Sequence, residues 1–199
     1  KQMYKCLACL ACDSICPVGI RPAHLSLAGR ALANEALPQP WFKRPLFRGL
    51  FPHPGRLELA SWPLRVYERL GLRRVAQRLG LTKALPSQVR DMERMLPHQP
   101  ERPLRKTLPE VTPSRNGQQR RVGFFLGCVQ SLMFAEESAA TVRVLAENGC
   151  EVVTPRDVKC CGMPSIGYGD REGARALARH NIDLFERLGV DVIVTDCAT

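Results

Sequence analysis

The fold of the amino-terminal part of this chain is decided by the stretch Cys6-Leu-Ala-Cys9-Leu-Ala-Cys12-Asp-Ser-Ile-Cys16-Pro17. Three thiols recur at steps of three residues, and a fourth follows four residues later. A tight coil with this spacing turns the first three sulfurs toward one metal centre. The proline restricts the backbone directly after Cys16 and helps to turn that thiol away from the others. The stretch therefore predicts a metal-binding loop.

The spacing favours a [4Fe–4S] cluster over zinc or a disulfide. It is the run found in bacterial ferredoxins, whose fourth cysteine ligates a sister cluster. Zinc sites more often use two separated Cys-x-x-Cys pairs, and such close neighbours have poor geometry for bridging. We predict that Cys6, Cys9 and Cys12 bind one [4Fe–4S] cluster and that Cys16 binds the second cluster of a complete module.

Length and cysteine content restrict the class of protein. The 199 residues suit one medium domain or two small ones, and a hydrophobic fraction of 45% supports a core. Most of the nine cysteines occupy ligand-like positions, which indicates metal ligands in a reducing compartment. We therefore predict a cytoplasmic protein, with an oxidised, secreted disulfide protein as the alternative.

The net charge of +10 predicts an acidic partner. Nucleic acid is disfavoured, because the basic residues lack an interleaved aromatic pattern and no recognition motif is present. Residues 41–80 hold nine basic and two acidic residues, with Trp41, Phe42 and Trp62 nearby. This segment could lie peripherally on the inner face of a membrane, or it is a solvated helix face. No apolar run approaches the roughly 20 residues of a membrane span.

The amino-terminal half predicts helices. Residues 1–37 form an all-α ferredoxin-like module, with a helix from about Pro22 to Leu37 after the cluster loop. Residues 38–96 form a proline-rich, basic, helical connector region, in which residues 61–96 are interrupted amphipathic segments. Residues 97–120 are interpreted as a linker because five prolines alternate there with polar residues.

Residues 121–199 predict an α/β domain. The apolar run at 122–126 and the valine-rich stretches at 151–154 and 190–195 are predicted strands. Helices over about 134–148 and 170–188 separate them, the second capped by Asp170 and closed by Gly189. Strands separated by helices imply a short parallel sheet. The fold class predicted for the whole chain is therefore α+β.

A second set of cysteines follows the predicted strands. Cys128 comes after the first strand, Cys160 and Cys161 after the second, and Cys197 after the third. Because the carboxyl ends of parallel strands lie at one edge of a sheet, these thiols predict a second metal site there. Buried core cysteines are the alternative. Cys150 lies at the opposite edge and is interpreted as a packing residue.

This second set resembles the cysteine-rich "CCG" domain of the heterodisulfide reductase and glycolate oxidase iron–sulfur subunit superfamily. The resemblance rests on Phe-Phe-Leu-Gly-Cys128-Val, on Cys160-Cys161-Gly162, and on a Cys197-Ala-Thr199 that stops one residue before the family's last cysteine. The sequence between the cysteines is most similar to that of the glycolate oxidase iron–sulfur subunit. This resemblance includes Leu50-Phe-Pro-His-Pro-Gly-Arg56 and covers essentially the whole chain.

The resemblance implies an electron-transfer subunit. In that family a flavin-containing subunit oxidises a 2-hydroxy acid such as glycolate, and electrons pass through the iron–sulfur subunit toward membrane quinone. The matching ligands are Cys6, Cys9 and Cys12 for one [4Fe–4S] cluster, Cys16 for its sister, and Cys128, Cys160, Cys161 and Cys197 for a further iron–sulfur cluster of the CCG domain. A first ferredoxin motif and a second CCG repeat are missing, so we expect a fragment.

Three other functions are compatible with the pattern. The chain could be a catalytic iron–sulfur subunit like that of heterodisulfide reductase, since the CCG ligands are shared. It could also be the iron–sulfur subunit of a lactate or glycerol-3-phosphate dehydrogenase. A zinc-structured interaction module is the non-redox alternative. No Gly-rich dinucleotide fingerprint follows a strand, so substrate oxidation is expected on a partner.

Overall fold

The structure is a computed structural model, and it describes residues 2–37, 40–43, 45–72, 75, 78, 90–91, 100, 102–117 and 119–197. Its contacts divide the chain into two compact units. The first unit comprises Lys1–Pro54, Asp157–Gly189 and Cys197–Thr199, and the second comprises Gly55–Arg156 and Val190–Asp196. Both units are thus assembled from segments that are distant in sequence.

Short helices make up most of the described chain. A 3₁₀ helix spans Gln2–Lys5 and a π-helical segment spans Pro45–Leu50. The α-helices are α1 (Ala11–Ser14), α2 (Pro22–Ala36), α3 (Pro54–Ala60), α4 (Trp62–Arg69), α5 (Leu104–Thr107), α6 (Cys128–Met133), α7 (Ala135–Glu147), α8 (Met163–Tyr168) and α9 (Arg171–Leu188). The strands are β1 (Val111–Thr112), β2 (Arg120–Phe124), β3 (Cys150–Val153) and β4 (Val192–Val194).

The sheet of the second unit has the order β1-β3-β2-β4. Strand β2 is parallel to both β3 and β4, as the sequence predicts. The sheet is nevertheless mixed, because β1 pairs with β3 in the antiparallel direction. This corrects the prediction of a purely parallel sheet. A two-residue strand carries no detectable alternation, and antiparallel edge strands are common on otherwise parallel sheets. The α+β class is confirmed.

The core of the second unit lies between the sheet and helices α5 and α7. Its buried members are Leu104, Phe124, Leu126, Ala135, Val142 and Val152. Leu104 lies within residues 97–120, so part of the segment predicted as a linker contributes to this core. Cys150 packs against the same cluster from the start of β3, which confirms its interpretation as a packing residue.

Helix α2 follows the cysteine loop, as predicted. Pro22 stands in its first turn, where a missing N–H costs no intrahelical bond. The Ala23 N–H in the same turn donates to Asp13 Oδ1 at 2.8 Å. The start of α2 is thereby tied to the segment between Cys12 and Cys16.

Helix α9 begins where the sequence predicts, and its cap has a second role. Asp170 accepts a hydrogen bond from the Gly173 N–H at 3.0 Å, which confirms the predicted N-cap. The same carboxylate, only 5% exposed, accepts from Arg48 Nε at 2.6 Å and Nη2 at 2.8 Å. This hydrogen bond raises the pKa of Arg48. Asp170 therefore joins the connector region to the amino end of α9.

Replacing Asp170 should separate these two roles. We expect Asp170→Ala to lower the free energy of unfolding by about 2–4 kcal/mol, because a cap and a charge-assisted pair are both lost. Asp170→Ser should recover about 1 kcal/mol of that loss, since serine is a good N-cap that cannot pair with Arg48. Urea denaturation measures both values, and equal losses in the two variants would contradict the capping role.

The connector region is described only in part. Helix α4 confirms a helical start at residues 61–70, whereas the helices predicted further toward residue 96 lie largely outside the described residues. Trp41 and Phe42 are 86% and 51% exposed in the first unit, and Trp62 is 60% exposed in the second. Among the described helices, none has the length and apolar character needed to cross a bilayer.

Candidate metal centre

The four amino-terminal cysteines lie in one stretch of the first unit, called the loop below, which contains the short helix α1 with Cys12. Cys9 and Cys12 are exposed, and Cys6 and Cys16 are half-buried. Within this loop, Ala8 (φ 55°) and Leu10 (φ 61°) are the non-glycine residues with positive φ in the described chain. Alternating left-handed residues turn backbone N–H groups into a concave nest, a geometry common around phosphates and iron–sulfur clusters. The loop is thus sharply bent between Cys6 and Cys12.

The loop already supplies a hydrogen bond to one of its sulfurs. The Ala8 N–H donates to Cys6 Sγ at 3.3 Å, and Ala8 itself is buried. Hydrogen bonds from backbone N–H groups to cysteine sulfurs stabilise the negative charge that a cluster ligand carries and set its potential. This contact fits Cys6 as a thiolate ligand.

Asp13 secures the far side of the loop. In addition to the bond from Ala23, its carboxylate forms a hydrogen bond with the His24 ring. Desolvation by burial raises the pKa of Asp13. The hydrogen bonds with Ala23 and His24 together lower the pKa by more than this, so it lies below its usual value. The ionised carboxylate therefore holds the residue after Cys12 against the start of α2.

The Cys160-Cys161 pair lies between β3 and α8, also in the first unit. Cys160 is 1% exposed, and its carbonyl accepts from Asn181 Nδ2 at 3.1 Å. The Lys159 N–H donates to Asn181 Oδ1 at 3.0 Å. The buried Asn181 of α9 thus bonds to the backbone on both sides of the Lys159–Cys160 peptide and fixes the pair in place.

Cys161 opens into a groove of about 390 Å³ between α2 and α9, which is also lined by His24, Arg171 and Arg175. A hydrogen bond with the Cys160 thiol, followed by desolvation, raises the pKa of Cys161 well above its usual value. Two adjacent thiols hold their protons more strongly than a single thiol does. A bound metal would displace these protons. The two guanidinium groups favour the negative charge of a thiolate-ligated cluster.

The remaining two cysteines follow the parallel strands. Cys128 is the first residue of α6, four residues after β2 ends, and Cys197 comes three residues after β4. Cys128 lies in the second unit, whereas Cys160, Cys161 and Cys197 lie in the first. The structure confirms the parallel strands but does not gather a ligand set: in its described part, no three His, Cys, Asp or Glu side chains form a metal-binding group.

The donor chemistry fits iron–sulfur ligation. All nine cysteines, which lie in the described chain, are thiols without disulfide partners. The loop from Cys6 to Cys16 offers four thiols, a sulfur-directed N–H and nest geometry. The assignment of Cys6, Cys9, Cys12, Cys16, Cys128, Cys160, Cys161 and Cys197 as ligands stays a prediction. Sequence reasoning missed Asp13 and Asn181, because a lone polar residue carries no periodic signal.

Two family models match the chain. Residues 38–96 match the linker region of the glycolate oxidase iron–sulfur subunit. Residues 122–199 match the cysteine-rich domain family. Together the two matches span most of the sequence, including the connector region and three of the four strands.

Curated relatives agree with these matches. A probable glycolate oxidase iron–sulfur subunit of Bacillus subtilis is 33% identical over 98% of this chain and 45% of its own length. The glycolate oxidase iron–sulfur subunit of Escherichia coli is 31% identical over 92% of this chain and 40% of its own length. Lactate utilization protein A of an Exiguobacterium species is 36% identical over 37% of this chain and 30% of its own length. The chain thus spans less than half of each relative, and no solved structure matches it significantly.

Proposed function

Because the chain is a homologue of the glycolate oxidase iron–sulfur subunits, we propose that it is the electron-transfer part of a glycolate or related 2-hydroxy acid oxidoreductase. The observation that carries the proposal is the nest-shaped loop from Cys6 to Cys16, with its N–H donated to Cys6 Sγ. A [4Fe–4S] cluster, when bound, takes up one electron with little rearrangement.

The residues of the loop would have different roles in holding a [4Fe–4S] cluster. Cys6, Cys9 and Cys12 would provide three thiolates, and Cys16 a fourth for a sister cluster. The Ala8 N–H supports the charge on the Cys6 sulfur, and Asp13 keeps the loop docked on α2. Cys128, Cys160, Cys161 and Cys197 would serve a further cluster.

A flavin-containing partner subunit would oxidise the substrate. The sequence lacks a dinucleotide-binding fingerprint, so the hydride or electron pair of the hydroxy acid must be taken elsewhere. Exposed apolar side chains lie on the loop and just after it: Leu7, Ile15 and Val18 are 89%, 78% and 76% exposed. Exposed apolar side chains around an electron-transfer site favour contact with another protein surface.

Electrons would leave toward membrane quinone from a cytoplasmic protein on the inner face of the membrane. The support is the basic segment 41–80 together with Trp41, which is 86% exposed. Tryptophan and cationic side chains are the residues that hold proteins at membrane surfaces. The names of these relatives refer to glycolate and lactate, and quinone as the acceptor is proposed from the charge and aromatic exposure of the segment.

The test is substrate-dependent reduction of the clusters. The complete protein, purified anaerobically with its flavin subunit, is mixed with glycolate, and the paramagnetic signal of reduced clusters is recorded. We expect the signal to appear within turnover times with glycolate and not with acetate, which has no hydroxyl group to oxidise. A matched complex that carries Cys9→Ser should show a smaller signal.

The outcome with lactate decides the substrate. Reduction by lactate but not by glycolate would assign the chain to lactate oxidation, which the similarity to lactate utilization protein A favours. A protein that contains stoichiometric zinc and no iron would contradict electron transfer altogether. Clusters that stay oxidised with every hydroxy acid, yet are reduced by dithionite, would contradict the proposed substrate class.

A further inference from the structure

Arg30 is a buried arginine on α2 that bonds to backbone carbonyls. Its side chain is 5% exposed. Its Nε and Nη2 donate to Met3 O at 2.9 and 2.6 Å, and its Nη1 donates to Gly167 O at 3.0 Å. Nη2 also donates to the carbonyl of Cys6, the first cysteine of the loop. Within the described residues, no carboxylate forms an ion pair with it.

Packing alone does not explain why an arginine is buried at position 30. A buried charge without a counter-ion is costly, and a methionine or leucine of similar volume would fill the space at lower cost. The planar fork of a guanidinium is the group that can reach several carbonyls at once. The Tyr4 ring, 5.4 Å from Cζ, adds a cation–π contact. These contacts can be made by arginine but not by a methionine or leucine of similar volume.

The bonds of Arg30 link the two sets of cysteines within the first unit. Met3 and Cys6 lead into the amino-terminal loop. Gly167 belongs to α8, the helix that directly follows Cys160-Cys161-Gly162. A side chain one turn further along α2 repeats the link, since Asn34 Nδ2 donates to Gly169 O at 3.4 Å.

We propose that Arg30 is a positioning residue for the cluster loop, which fixes the Cys6 backbone against α8 and places a buried positive charge next to that loop. This inference rests on the proposed function, because it requires a cluster on the loop. Reduction adds one electron, and hence one negative charge, to the cluster. A fixed positive charge in a poorly solvated position stabilises the reduced form and raises the reduction potential.

The experiment separates charge from geometry with three variants. Arg30→Met removes the charge at similar length, and Arg30→Lys keeps the charge but cannot bridge three carbonyls. Arg179→Met, on the exposed face of α9, is the matched control. Each is made in the complete protein with its partner. The measurements are iron content, the midpoint potential from an electrochemical titration without hydroxy acid, and the rate of iron release to a ferrous chelator.

We expect Arg30→Met to lower the midpoint potential of one cluster and to speed iron release. Arg30→Lys should retain most of the potential and still release iron faster, because the loop is no longer tied at Met3, Cys6 and Gly167 together. Arg179→Met should match the parent protein in both measurements.

Two results would overturn the proposal. One is an Arg30→Met protein with full iron content and parental values of potential and release rate. The other is an Arg30→Lys protein with a parental release rate, which decides the matter even if Arg30→Met does not fold. Since the titration uses no substrate, inactivity with glycolate leaves this result intact. A parent protein without iron would instead defeat the proposed function.

Discussion

We expect the replacement of Cys9 with serine to lower the iron content by about four atoms per chain, because Cys9 is a proposed ligand of a [4Fe–4S] cluster. Cys9 is exposed and lies between the two left-handed residues, Ala8 and Leu10. Its thiol is therefore accessible within the bent part of the loop. Serine offers an oxygen that binds iron–sulfur clusters poorly, because these clusters select soft thiolate ligands. Metal analysis and the paramagnetic signal of the dithionite-reduced protein measure the loss.

The control for this experiment is Cys150→Ala. Cys150 packs against the core of the second unit from the first position of β3. Its replacement should leave the iron content unchanged, since the side chain contributes packing alone. Equal iron in the Cys9→Ser and parent proteins would refute the ligand assignment. Loss of iron from Cys150→Ala without unfolding would show that the packing interpretation is wrong.

Replacing Gly169 with alanine should be the most destabilising single change in the first unit. Gly169 has φ 101°, and a Cβ built there would lie 2.5 Å from the Arg30 carbonyl oxygen and 2.8 Å from its carbon. Both atoms belong to the backbone of α2, so relieving the contact requires a shift of α2 relative to the turn rather than the rotation of one side chain. Backbone strain and forced overpacking together should lower the free energy of unfolding by about 2–6 kcal/mol.

Gly189→Ala is the matched control for this prediction. Gly189 also has positive φ, at 58°, and ends α9, but a Cβ there would meet no atom within 4 Å. Its replacement should cost only the left-handed conformation, about 1–2 kcal/mol. Urea denaturation measures the loss of unfolding free energy in each variant. The difference between the two losses is the effect of the close approach between α2 and the α8–α9 turn. Equal losses would show that α2 and the turn can separate freely.

The contact between α2 and the turn from α8 to α9 is not revealed by any local pattern in the sequence. Helix α2 was predicted from its apolar spacing and from Pro22, both of which are properties of one segment. Its packing on α8 depends on residues more than 130 positions away, through the bond between Arg30 and Gly167. An isolated arginine in a helix otherwise predicts a solvated face. Its burial could be recognised only once the carbonyls of two other segments were placed.

The same reasoning explains the error in the sheet. Strands β2, β3 and β4 each contain adjacent apolar residues and alternate along the chain with helices, a pattern that by itself indicates a parallel sheet. Strand β1 has two residues between Pro109 and Pro113 and shows none. It is held by its partner, since Val111 and Thr112 pair with Val153 and Val152. The prolines around Leu104 predict a linker, whereas its packing places it in the core.

The sequence by itself determined the thiol chemistry, the α+β class and the parallel strands, because ligand spacing and apolar periodicity are local and the backbone obeys them directly. The tertiary structure decided what surrounds that chemistry. It bent Ala8 and Leu10 into left-handed conformations, directed Arg30 onto the Cys6 carbonyl, and set Asn181 behind Cys160. The contacts of Arg30 and Asn181 join residues 24 and 21 positions apart in the chain. Their energies come from burying polar groups together, and residue identity alone does not say which groups will meet.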